Sequence, residues 1–174
     1  MARRGAIHAS LRPGWRNQKV RLYHGTLHAY VESITKRIDW RLGNPTADFG
    51  RGFYTTTRLD QAQKWAAKRS RFVAESSPAV VAFEVDRNKL ASLQSIWFVR
   101  GRPDADDYWR LVTHCREGGA DHARSGASKW YDVAVGPVAA VWGLRIAFSD
   151  LDQISFHTAR AARILDKSRK SVLP

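Results

Sequence analysis

Apolar positions fall in short runs separated by glycine, proline and polar turns. Val20-Arg21-Leu22-Tyr23-His24-Gly25-Thr26 alternates as a strand does and ends at a glycine. The period then changes: Leu27, Tyr30, Val31, Ile34 and Ile38 follow the spacing of one helical face. Gly43-Asn44-Pro45 is a turn. Phe53 to Thr56, aromatic or β-branched, predicts a short strand. Thr57 is then expected to cap a helix over 58–74, with Asp60 three residues on and Ala62, Trp65, Ala66 and Phe72 or Val73 turned inward. Runs 79–85 and 96–99 predict buried strands, and Asp104 to Gly118 a helix. Residues 131–138 form a strand pattern interrupted at Gly136-Pro137, which predicts an edge position or a bulge. Residues 144–148 and 154–158 predict two more strands, and Thr158 caps a last helix carrying Ala161, Ala162, Ile164 and Leu165. Strands and helices mix without regular βαβ alternation, which predicts an α+β fold rather than a doubly wound sheet.

Composition makes this one packed unit. The chain has 174 residues, 44% of them hydrophobic, with seven Trp and seven Phe as bulky core material. The domain is expected over 20–166, between a basic, irregular arm at 1–19 and a basic tail at 167–174 that frays. Cys115 is the one cysteine, so no internal disulfide exists and a reducing cytoplasm is the expected setting, with a delivered effector as the alternative. The basic N-terminus is not followed by the apolar run of a secretory signal, and no segment has the roughly 20 apolar residues of a membrane span. Charge narrows the partners. Lys and Arg number 29 against 16 acids, a net +13, and such a field attracts polyanions: nucleic acid, an acidic protein or an anionic cofactor.

The candidate chemistry centres on residues 48–66. Gly50-Arg51-Gly52 forms a backbone-permissive turn, followed by Tyr54 on a strand and then the basic helix with Lys64, Lys68, Arg69 and Arg71. His24 sits at a strand end beside Gly25, where a rigid scaffold feeds a loop; a structural hydrogen bond is the bland alternative. His24 and His28 are four apart but only one falls on the helix, and Cys115 with His114 and His122 has irregular spacing, so no metal is expected. No P-loop, G-x-G-x-x-G, G-x-S-x-G or H-E-x-x-H is present.

Tyr23-His24-Gly25-Thr26, then Asp48-Phe49-Gly50-x-Gly52-Phe53-Tyr54-x-Thr56, then Gln61-Ala62-x-x-Trp65-Ala66 resembles the ADP-ribosyltransferase fold in its His-Tyr-Glu branch, the diphtheria-toxin and PARP type. More closely it resembles a largely uncharacterised bacterial family with that fold, whose later segments Asp132 to Ala139 and Gln153 to Thr158 also look like. The resemblance implies NAD as co-substrate, bound in the crevice of a split, mostly antiparallel sheet flanked by helices. His24 would bond a ribose hydroxyl, and Gly25 would offer backbone groups to the carboxamide. Tyr54 and Trp65 would wall the nicotinamide, with Thr26, Gly52 and Phe53 beside it. Gln153 stands where the branch has Glu, with Asp132, Asp150 or Asp152 as alternative carboxylates. The implied activity is mono-ADP-ribosyl transfer by a toxin or effector, with an acidic antitoxin or immunity protein as partner. Arg51, Lys64, Lys68, Arg69 and Arg71 are the candidate contacts to a nucleic-acid or protein acceptor. NAD glycohydrolysis, tRNA 2′-phosphotransfer and a non-catalytic binding module are the alternatives.

Overall fold

The computed structural model describes residues 18–73, 76–99, 105–119 and 131–173. The chain runs β1 (Val20–Leu27), α1 (His28–Lys36), β2 (Phe53–Thr55), α2 (Leu59–Ser70), β3 (Pro78–Val85), α3 (Arg87–Ala91), β4 (Ser95–Trp97), α4 (Ala105–Arg116), β5 (Val133–Val141), β6 (Ile146–Phe156), α5 (Ala159–Asp166) and β7 (Arg169–Leu173). Helices and strands mix without alternation, so the class is α+β.

The strands form two sheets, ordered β1-β3-β7 and β2-β6-β5-β4. All neighbours are antiparallel except β4 and β5. One rung joins the sheets. Tyr23 N–H donates to Thr56 O at 2.8 Å, and Thr56 N–H donates back to Tyr23 O at 2.9 Å. Past that rung β1 and β2 form no ladder, and the combined sheet is split there.

Residues opposite one another on a ladder share a face, which sorts the side chains into two layers. Leu22, Phe53, Val81, Phe83, Ile154 and Phe156 point to one face and build the main core with Ala161 and Leu165 of α5. The other face is covered twice. Helix α2 lies on β1 and β3, burying Ala62 and Ala66. Helix α4 lies on the second sheet, where Tyr108, Trp109 and Val112 pack with Phe49, Ala134 and Ala139.

Several elements differ from the sequence pattern. Helix α2 starts at Leu59 and ends at Ser70, and Arg58, not Thr57, is its N-cap residue. The Thr57 hydroxyl donates instead to Asp152. Trp65, expected inward, is 56% exposed, and of Phe72 and Val73, one of them expected inward, the first is 80% and the second 38% exposed, because two alanines already fill the contact with the sheet. The two short strands expected after residue 144 are one long strand, β6. The tail expected to fray at 167–174 instead forms a strand over Arg169–Leu173 that pairs with β3, and residue 174 lies outside the described residues. The edge or bulge expected at Gly136-Pro137 is present: β5 is an interior strand, but β4 pairs with it only as far as Val135, so the side of Pro137 that lacks a donor faces no strand, and a register shift follows between Pro137 and Ala139. Thr158 caps α5 as expected, accepting from Ala161 N at 3.1 Å. Residues 1–17 of the expected arm, and Asp104 and His122, lie outside the described residues.

Gly25 is where α2 meets β1 backbone to backbone. A methyl group there would sit 2.1 Å from the Ala62 carbonyl oxygen and 3.1 Å from Ala66 N. Backbone cannot step aside as a flexible side chain can, so Gly25→Ala is expected to cost about 3 kcal/mol. That loss lowers the thermal midpoint by roughly 6–12 °C in a chain of this size. Gly143→Ala, whose added methyl group meets nothing within 4 Å, serves as the neutral control in the same melt.

Candidate functional site

The split between β1 and β2 is edged by the residues that the sequence singled out. Successive residues of an antiparallel strand direct their backbone groups to opposite neighbours. Tyr23 faces β2, so Gly25, two residues on, also turns its N–H and C=O toward β2, where no strand residue pairs with it. By the same alternation the Tyr54 carbonyl points at β1, and the His24 side chain meets it, with Nδ1 at 2.6 Å. A carbonyl can only accept, so Nδ1 carries the proton. That leaves Nε2 an acceptor, and among the described residues nothing donates to it. The ring stacks on Phe53 at 4.2 Å between centroids. Burial pushes the His24 pKa down to about 4, against the bond to Tyr54 and with help from the nearby charge of Arg69, so the imidazole is neutral at physiological pH.

Tyr54 and Gln153 lie on the opposite face of the sheet from His24, the face that carries Gly25 and the two covering helices. The Tyr54 hydroxyl is tied into the glycine turn: it donates to Gly50 O at 2.7 Å and accepts from Phe49 N at 3.0 Å. Burial raises its pKa well above the ordinary tyrosine value, so it stays protonated. Gln153 is fixed by a residue that the sequence reading did not assign to the site. Its Nε2 donates to Asp48 Oδ2 at 2.7 Å and to Pro137 O at 2.7 Å. Only the amide nitrogen can serve two acceptors, so its oxygen is the free end, and among the described residues nothing donates to it. Asp48 is 3% exposed and fully engaged, accepting also from Ala139 N at 2.8 Å and from the Arg116 guanidinium. Asp48 and Arg116 are 68 residues apart, and no local spacing signals such a pair.

The remaining candidates divide. Thr26 is buried, and the Phe53 ring faces the core, so neither side chain is presented to a ligand; Phe53 acts as the platform under His24. Gly52 gives room to buried His157, whose ring nitrogen would lie 2.6 Å from an added methyl group and whose Nδ1 bonds Arg51 O at 2.8 Å. Trp65 lies exposed on α2 with Lys68 Nζ 5.8 Å from its ring. Arg51, Lys64, Lys68, Arg69 and Arg71 are all exposed. The alternative carboxylates are otherwise occupied. Asp152 accepts from Thr57 N at 3.1 Å and from the hydroxyls of Thr56 and Thr57, while its backbone exchanges two bonds with Gln61. Asp132 accepts from Gln94 N at 3.0 Å and from the Thr158 hydroxyl, and Asp150 is exposed. Cys115 is buried and its thiol is pushed up to about 12, by burial first and by Asp48 second, which removes it as a nucleophile. Among the described residues no group of three His, Cys, Asp or Glu could hold a metal ion, and no helix is long and apolar enough to cross a membrane.

A model of a family described as protein of unknown function, DUF3990, matches residues 20–146. The chain belongs to that family. The match includes His24, Gly25, Asp48, Tyr54, Trp65 and Arg116, whereas Gln153 lies beyond it. No curated protein and no solved structure matches the chain.

Two measurements follow from these environments. Unfolding raises the His24 pKa from about 4 toward 6.5, so the unfolded chain binds more protons in that interval. Stability attributable to His24 is therefore intact above about pH 6.5 and falls as the pH drops to about 4, by about 3 kcal/mol at most. Urea midpoints across that range should fall less steeply in His24→Gln than in the natural chain. Gln153→Glu would set a second carboxylate against Asp48, raising the new group's pKa. The variant should lose about 3–5 kcal/mol near neutral pH. The deficit is smallest below about pH 4, where the new group is neutral but offers one donor in place of two, and it grows as pH rises through the raised value, which paired melts at the two pH extremes detect.

Proposed function

We propose that the protein is a NAD-dependent mono-ADP-ribosyltransferase of the His-Tyr-Glu type, with glutamine in the third position. The observation that carries this reading is the unpaired rung at the split. Gly25 N–H and C=O, His24 Nε2 and Gln153 Oε1 are polar groups whose hydrogen bonds are not completed among the described residues. A carboxamide and ribose hydroxyls complete them. Gly25 pairs with the carboxamide as a strand would, and His24 Nε2 accepts from a ribose hydroxyl. The π-faces of Tyr54 and of Trp65 on α2 suit a cationic aromatic ring.

The reaction asks for stabilisation of positive charge on the ribose. As the bond from C1″ to the nicotinamide nitrogen breaks, its electron pair leaves with nicotinamide and neutralises the ring. An acceptor O–H or N–H forms the new bond to C1″ and loses its proton to solvent. NAD and acceptor thus become ADP-ribosyl acceptor, nicotinamide and one proton. The oxygen of Gln153, aimed by Asp48 and Pro137, orients the 2″-hydroxyl and places a dipole against the developing charge. It carries no full charge and cannot serve as a base. This suits a single transfer to a reactive acceptor, and it also favours hydrolysis, with water as acceptor, as the second reading. The net +13 charge and the lone buried cysteine suit a toxin or effector acting on a macromolecule in a reducing cytoplasm and held by an acidic partner.

The test is nicotinamide release from NAD labelled on the adenylate, with the label then fractionated. The natural chain should release nicotinamide and leave label on a macromolecule. His24→Ala and Tyr54→Ala should each lose at least about 100-fold in release, in line with the loss of an oriented transition-state contact. Label found only as free ADP-ribose would support the hydrolase. Release that survives Tyr54→Ala would remove the site assignment.

A further inference from the structure

One side of α2 carries more than the NAD reading uses. Gln61 bonds β6 across the split, its Nε2 2.7 Å from Asp152 O, and so marks the side of the helix that faces the site. Trp65, then Lys68 and Arg69, follow at steps of four and of three or four, which keeps them on that side, and Arg71 and Phe72 come just past the end of the helix, in a turn where Phe72 N donates to Arg69 O at 3.1 Å. The order is aromatic, cation, cation, aromatic. Trp65 is 56% exposed and Phe72 80%. Lys68 lies 5.8 Å from the Trp65 ring, and Arg69 is close enough to His24 to act on its titration.

Among the described residues the cations of this stripe have no carboxylate partner. Asp60, the one acid of α2, is taken by Arg58 at 3.1 Å and Lys64 at 3.5 Å. Lys68, Arg69 and Arg71 make no ion pair among the described residues. A merely solvated face would expose cations without exposing two large rings beside them. Nor does the stripe resemble a protein-docking groove, since its apolar groups are isolated rings set among positive charges. Rings that offer a π-face, interleaved with free cations, are the means by which proteins hold single-stranded nucleic acid: bases stack and phosphates pair.

We infer that this face of α2 is a track for single-stranded nucleic acid, leading an acceptor strand to the split between β1 and β2. The surface is read from charge and exposed rings alone; only its role as the acceptor track rests on the transferase reading.

The experiment measures binding of the full chain to a fluorescent single-stranded oligonucleotide of about 12 nucleotides, and to its duplex, without NAD. Single strand should bind at least about tenfold tighter than duplex, because only unpaired bases can stack. Phe72→Ala should weaken binding by about 5- to 100-fold, the effect of one lost stacked base. Lys68→Ala with Arg71→Ala should lower the slope of log affinity against log salt by about two. Equal affinity for duplex and single strand would overturn the proposal, as would unchanged affinity and slope in these variants. So would a loss of NAD affinity in Lys68→Ala with Arg71→Ala while oligonucleotide binding is kept, since the stripe would then be a dinucleotide subsite. With NAD added, the same double variant should lose label on the oligonucleotide, and the part of nicotinamide release that depends on the oligonucleotide should fall with it. Absence of release in the natural chain would sink the transferase reading and leave the binding result standing.

Discussion

The structure depends on a single rung. Tyr23 and Thr56 exchange two backbone hydrogen bonds and thereby hold two sheets as one layer. Everything that makes the site distinctive begins where that rung stops. Beyond it β2 turns to pair with β6, while β1 continues alongside β3. The backbone groups left over at Gly25 and Tyr54 must be satisfied by something other than a strand. His24 meets one of them. Asp152 secures the other end of the junction, collecting Thr56, Thr57 and Gln61 so that β6, β2 and the start of α2 stay in fixed relation. The split is thus rigid on one side and chemically unfinished on the other.

A second constraint sits beneath the site. Asp48 is a carboxylate inside the protein, and a buried charge is tolerated only when it is paired and hydrogen-bonded. Arg116, Ala139 N–H and the Gln153 amide provide this from three separate elements. The glycine turn that follows Asp48 is held from the other end by Tyr54 and by His157. Glutamine at 153 is therefore part of an electrostatic balance: an amide that donates to Asp48 where a carboxylate would repel it. The residue type at 153 thus has a local physical cause in a neighbouring charge.

Much of this was legible in the sequence, and the division follows range. The alternation of β1, the buried run of β3 and the helical period of α2 are local patterns, and each element lies where its pattern put it, give or take end residues. The Tyr23-His24-Gly25 and Gly50-x-Gly52-Phe53-Tyr54 segments mark backbone that must pack closely, and both edge the split. What was hidden is long-range. The bonds of Asp48 to Arg116 and Gln153 span 68 and 105 residues, and the spacing of acids and amides carries no signal for them. Trp65 was misread because hydrophobicity suggests burial, whereas the small Ala62 and Ala66 had already claimed the sheet contact at Gly25. The last strand was missed because its basic residues look like a solvated tail, though on an edge strand such residues guard an open ladder against unwanted pairing.

The origin of the split has a consequence for how such a protein can change. The gap is a missing rung in a ladder, bounded by backbone, and not a hole carved from the apolar core. Leu22, Phe53, Phe83 and Phe156 close the core on one face whether or not anything occupies the gap on the other. The exposed side chains around the gap, such as Lys64, Lys68 and Arg71, can therefore be exchanged with little effect on the packing that keeps the chain folded, whereas Gly25 and Gln153 are held by close contacts. New specificities can arise here by altering the surroundings of an unfinished hydrogen-bond pattern, while the scaffold that presents it is left untouched.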